Sequence, residues 1–74
     1  MKENTLYSFD QYGCRVIDGY ELDRGNDILI EDELFRPIAI YDKGTDRTYD
    51  MSFGIIAEGK RTDLAIAQNK SKRR

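Results

Sequence analysis

Between Tyr49 and Glu58 the chain alternates. Tyr49, Met51, Phe53, Ile55 and Ala57 are apolar, Asp50, Ser52, Gly54 and Glu58 are small or polar, and Ile56 alone breaks the pattern. Successive side chains on a strand point to opposite faces, so this period of two predicts a strand over 48–58 with one face on a core. On a helix the same spacing would scatter Asp50 and Glu58 through the apolar side. A chain with this pattern is built around a sheet.

The remaining segments read the same way. Thr5–Phe9 is a strand with Tyr7 and Phe9 on one face, and 10–13 is a turn. Cys14–Leu22 is a strand interrupted by Asp18-Gly19, which reads as a bulge rather than a hairpin turn because each half would otherwise be very short. Asp23, Arg24, Gly25, Asn26 and Asp27 form a turn, Ile28–Ile30 a short strand, and Glu31, Asp32 and Glu33 end it with charge. Leu34–Tyr41 is apolar on both faces, as in a central strand, with Pro37 at its start or on a bulge. The polar loop 42–47 joins it to 48–58 as a hairpin. Residues 62–68 read as a last strand, with Leu64 and Ile66 inward, slightly ahead of a helix capped by Thr62. A longer helix would have nothing apolar to bury after Ala67.

Short strands with a turn signal every eight to twelve residues predict a mostly β domain. It is a small antiparallel sheet or barrel-like sandwich of five to six strands with a short C-terminal helix as the alternative ending. The domain is expected over 1–68 and a disordered basic tail over 69–74. There are no internal repeats. At 74 residues a chain buries only about 60% of its unfolded surface. Such a thin core is often completed by a partner, so self-association as a homodimer is expected.

Composition removes several classes of function. The single cysteine, Cys14, excludes an internal disulfide framework, and the absence of histidine removes the commonest metal ligand and general base. Carboxylate pairs such as Asp10/Glu21 or Asp42/Asp50 have no spacing that singles them out for acid–base work. No glycine loop of phosphate-binding pattern is present. The expectation is a protein that is not an enzyme and needs no cofactor or metal. No apolar run approaches a membrane span or a secretory signal, so the expected compartment is the cytoplasm.

Charge is segregated. From Asp18 to Glu33 the acids are Asp18, Glu21, Asp23, Asp27, Glu31, Asp32 and Glu33, opposed by Arg24 alone, a net of −6. The end of the chain, Lys70, Ser71, Lys72, Arg73 and Arg74, carries +4, while the whole chain carries −2. The acidic window fails the calcium-loop pattern: counted from Asp23, a glycine stands at the third position and Ile28 at the sixth.

Carboxylates flanking a short strand can imitate the phosphate spacing of a nucleic acid. The leading expectation is therefore a protein-binding module or inhibitor of the kind viruses and mobile elements direct at host proteins. Its acidic surface would engage a basic or nucleic-acid-binding site of another protein. Asp23, Asp27, Glu31, Asp32 and Glu33 supply the charge, with Tyr20 and Phe35 as apolar anchors. The alternatives are a small nucleic-acid binder using Lys60, Arg61 and the basic tail, or a self-assembling structural subunit. Residues 1–68 hold eight bases and fourteen acids, so direct nucleic-acid binding is the less favoured reading.

Overall fold

A computed structural model describes residues 2–72. Six strands run in sequence order: β1 (Lys2–Phe9), β2 (Arg15–Asp23), β3 (Asp27–Asp32), β4 (Pro37–Asp42), β5 (Arg47–Asp50) and β6 (Ile55–Glu58). Each is antiparallel to the one before it, in a single sheet of order β1-β2-β3-β4-β5-β6. A helix, α1 (Thr62–Lys72), follows. The mostly β class expected from the sequence is what forms. The sheet stays open, however, with β1 and β6 as edges, and does not close into a barrel.

The predicted strand 48–58 is two strands. Asp50 turns the chain within it: its backbone N–H donates to the Gly54 carbonyl, and its Oδ1 accepts from the N–H groups of Ser52 and Gly54. Side-chain bonding by aspartate to the backbone two residues on competes with strand extension. The expected core face of this run does not form: Tyr49 and Ile55 share the face away from the helix, Met51 and Phe53 are exposed in the turn, and an extra residue at Ile56 puts Ala57 on the opposite face with Thr48. The expected strand 34–41 likewise begins later, at Pro37, because Asp32 organises a turn through Arg36.

The same turn occurs three times. In Asp10–Cys14, Asp32–Arg36 and Asp50–Gly54, the aspartate N–H donates to the carbonyl four residues on, and its carbonyl accepts from the residue three on. Its Oδ1 accepts the N–H groups two and four residues on, all at 2.9 Å. The fourth position has positive φ in each: Gly13 at 78°, Phe35 at 63° and Phe53 at 65°. These turns close alternate hairpins of a meander, so all three lie at one end of the sheet. The repeat is not visible in the sequence because only the aspartate recurs in all three.

Three bulges shape the core. Pairing shifts between Leu6 and Tyr7, between Ile30 and Glu31, and between Thr48 and Tyr49, leaving Asp18, Ile38 and Ile56 as the extra residues. A bulge places two consecutive side chains against one on the neighbouring strand. Ile38 and Ile56 accordingly pack against the core cluster of Ile30, Ala39, Ala65 and Ile66, together with Leu6. The expected bulge at Asp18-Gly19 is present, and it turns Asp18 toward the helix, where its carboxylate accepts a bond from Lys70 Nζ at 2.6 Å.

Residues 62–68 form a helix, not a strand, and the helix runs on to Lys72. The expected start of a disordered tail at 69 falls inside it, while Arg73 and Arg74 lie outside the described residues. Ala65 and Ile66 are buried on the sheet. Burying an isoleucine side chain is worth roughly 1.5–3 kcal/mol. After Ala67 the helix is anchored by charge instead of apolar burial: Asn69 is half-buried and Lys70 reaches Asp18. Gly19 allows the close approach. A Cβ there would lie 2.2 Å from the Glu31 carbonyl oxygen and 3.1 Å from Ile66 Cδ1.

Candidate protein-binding face

Among the described residues the helix covers one face of the sheet and nothing covers the other. Register defines the other. Leu22 pairs with Leu29, Leu29 with Ile40, Ile40 with Tyr49, and Tyr49 with Ile55. Opposed residues share a face, and Leu29 and Ile40 flank Ile30 and Ala39, which point into the core. The five side chains thus form a row across the open face, spanning about 19 Å at ~4.8 Å between strands. Leu22, Leu29, Ile40 and Tyr49 are half-buried by one another, and Ile55 is exposed.

Two of the expected contact residues come together beside this row. Tyr20 and Phe35 stack with ring centroids 4.3 Å apart and planes 10° from parallel. Glu31 pairs in register with Tyr20 and lies on the same face. Phe35 is 57% exposed despite the stack. Asp32 is next in sequence but faces inward and is only 1% exposed. Burial by itself would raise its pKa, yet the N–H groups of Arg36 and Leu34 and the Arg36 guanidinium outweigh that and hold the carboxyl below its usual range. Glu33 is half-buried in the same turn. Asp23 and Asp27 lie at the other end of β3, about 16 Å away at ~3.3 Å per residue. The seven residues do not form one patch.

Most of the acidic window is neutralised internally. Lys70 pairs with Asp18, Lys60 with Glu21, Lys43 with Asp23, Arg24 with Asp27 and Arg36 with Asp32. Glu21 is buried and also accepts a bond from the Thr62 hydroxyl. These carboxylates fasten turns and the helix. Asp18 shows the effect: burial raises its pKa, but the Lys70 and Ser8 hydrogen bonds prevail and lower it. Three of the basic residues of the nucleic-acid alternative are engaged in the same way, Lys60 by Glu21, Lys70 by Asp18 and Arg61 by Asp63.

Sequence reasoning missed Leu29, Ile40, Tyr49 and Ile55 as a surface. Part of the signal was there: Leu34–Tyr41 reads as apolar on both faces. Among the described residues no group of three or more His, Cys, Asp or Glu is disposed to hold a metal ion, and no helix is long and apolar enough to cross a membrane. No protein-family model, curated protein or solved structure matches the chain.

Proposed function

We propose that the chain is a non-catalytic protein-binding module that engages its partner through the open face of the sheet. The observation that carries this is the uncovered row Leu22, Leu29, Ile40, Tyr49 and Ile55, flanked by the Tyr20–Phe35 stack. A contiguous apolar surface with aromatic anchors and a polar rim is the pattern of a protein interface. Strand alternation also puts Glu3, Asp27, Glu31, Asp42 and Glu58 on this face, against Arg15 and Arg47. The acid excess favours a partner surface that is apolar at its centre and basic at its rim.

Inhibition of a basic target remains compatible with this face, but imitation of a phosphate backbone has less support. Five of the seven acids of the window are already in ion pairs, and a mimic needs carboxylates free to meet the target's cations.

The test compares the wild-type chain with the double variant Leu29→Asn, Ile40→Asn, after thermal melting shows that both fold. Each is immobilised and exposed to native extract with nuclease present. The reading expects a protein recovered by the wild type and lost with the variant. Equal recovery by both overturns it. So does a concentration-dependent mass that the variant abolishes with no foreign protein recovered, which would make the face a self-assembly surface.

A further inference from the structure

The open face carries a cleft of about 350 Å³ lined by Asn26, Asp27, Ile40, Asp42, Tyr49 and Phe53. We propose that this cleft receives a cationic side chain, the ammonium of a lysine or the guanidinium of an arginine, from the partner protein. The inference rests on the protein-binding reading and names the chemistry of one contact within it.

Three features select a cation. The first is aromatic walls. Tyr49 belongs to the open-face row, and Phe53 stands beside it, 75% exposed. Its backbone has φ 65°, a conformation costly for a bulky residue, and the Asp50 carboxylate fixes the turn that imposes it. A phenylalanine kept where glycine would be easier, with its ring in solvent and at a cleft, points to a contact outside the fold. Ring faces attract cations within about 6 Å of the centroid.

The second feature is opposed carboxylates. Asp27 and Asp42 are direct register partners across β3 and β4. Like charges placed opposite repel. Asp27 is compensated by Arg24, whose Nε and an Nη donate to its two oxygens at 2.7 and 2.8 Å. Asp42 accepts one bond, from the Gly44 N–H at 2.8 Å, and makes no ion pair among the described residues. Arg47 is its register partner on the other side and is the cation a ligand would compete with.

The third is exclusion. An anionic side chain would meet Asp27 and Asp42. A neutral apolar one would strip water from Asp42 and return nothing. A lysine or arginine lays its methylenes on Ile40 and the rings and brings its charge to Asp42.

The probe is N-acetyl-lysine amide, titrated into the isotope-labelled full chain and followed by backbone and side-chain NMR, with N-acetyl-norleucine amide as the neutral isostere. The expected result is saturable shifts confined to Ile40, Asp42, Tyr49 and Phe53, with a Kd on the order of millimolar. Norleucine amide should bind at least about five-fold more weakly, and Asp42→Asn and Phe53→Leu should each weaken lysine amide by roughly three-fold or more. Equal binding of the two amides, shifts scattered over the surface carboxylates, or lysine amide binding unchanged by Asp42→Asn overturns the proposal. Failure here, with extract recovery still lost in the Leu29→Asn, Ile40→Asn variant, removes the cation site and leaves the protein-binding face standing. Loss of that recovery result with lysine amide still bound does the reverse.

Discussion

Phe53 occupies the position in the third aspartate turn that Gly13 occupies in the first, with φ of 65° against 78°. The surrounding hydrogen bonds are the same in both turns, so the difference is the side chain alone. A non-glycine residue in the left-handed region costs roughly 1–2 kcal/mol. Glycine recovers that but adds unfolded-state entropy. With its ring largely in solvent, Phe53 returns little packing. Phe53→Gly is expected to raise stability by about 0.5–1 kcal/mol while removing one wall of the cleft. Chemical denaturation measures the first effect. A loss of stability would mean that the exposed ring contributes to the fold after all. Phe35→Gly should gain less, because it gives up the stack on Tyr20.

The three turns differ in burial, and stability should follow. Asp10 is exposed and Asp32 is 1% exposed. Replacing Asp10 by alanine removes two hydrogen bonds that water can replace, for about 1 kcal/mol or less. Asp32→Ala leaves the N–H groups of Leu34 and Arg36 without their acceptor beneath the sheet end, for about 2–3 kcal/mol. The Asp32 effect is also pH-dependent. Its folded pKa lies below the ordinary aspartate value of 3.8, so its carboxylate stabilises the fold fully above that value. The stabilisation is lost as pH falls through the folded pKa. The gap between wild type and Asp32→Asn should therefore be steady near neutral pH and narrow as pH falls below the ordinary value of 3.8 and on through the folded one. A gap constant over that range would show that the charge of Asp32 does not matter to folding.

Sheet formation was legible wherever side-chain alternation was unbroken, and the bulge at Asp18-Gly19 was legible because a hairpin turn there would leave each half-strand very short. Asp50 was harder to read. It sits in an alternating run, and only its bonds to Ser52 and Gly54 make it a turn. The helix was missed for a related reason. Apolar periodicity ends at Ala67, but Lys70 holds the last turn through Asp18, a contact between residues far apart in sequence that no local pattern records. The acidic window was visible as composition. What its carboxylates touch was not, and pairing with Arg24, Arg36, Lys43, Lys60 and Lys70 converts most of them from a surface charge into structural ties. Tyr20 and Phe35, the apolar anchors expected from the sequence, stack on one another. The row they border depends on the register of five strands, which one sequence does not specify.

Gly19 is the tightest point of the fold. A Cβ there would lie 2.2 Å from the Glu31 carbonyl oxygen, a backbone atom that cannot swing aside. Gly19→Ala must push β2 away from β3 or tilt α1 away from the sheet, since Ile66 Cδ1 is also within 3.1 Å. Overpacking of this kind costs about 1–3 kcal/mol or more. Thermal melting should show a lower midpoint, and amide exchange should speed up in β2, β3 and α1 ahead of β5 and β6. Uniform exchange across the sheet would argue that the strain is absorbed elsewhere.

Lys60 and Glu21 tie the start of the helix to the middle of β2. Lys60 Nζ lies 3.0 Å from Glu21 Oε1, and the Thr62 hydroxyl donates to Oε2. Glu21 is buried while Lys60 keeps its ammonium partly in water. Removing the base leaves a buried carboxylate held by the Thr62 hydroxyl, so Lys60→Met should destabilise by about 1–3 kcal/mol. Removing both charges takes away the desolvation penalty along with the attraction, and a buried pair replaced by apolar side chains is often neutral or better. Glu21→Met with Lys60→Met is therefore expected to be clearly more stable than Lys60→Met alone. The Thr62 hydroxyl, left without its acceptor, limits the recovery. Denaturant unfolding of the four members of this cycle gives the coupling directly. If the double variant is no better than the single, the pair does more than neutralise a buried charge, and the approach of α1 to the sheet depends on its geometry.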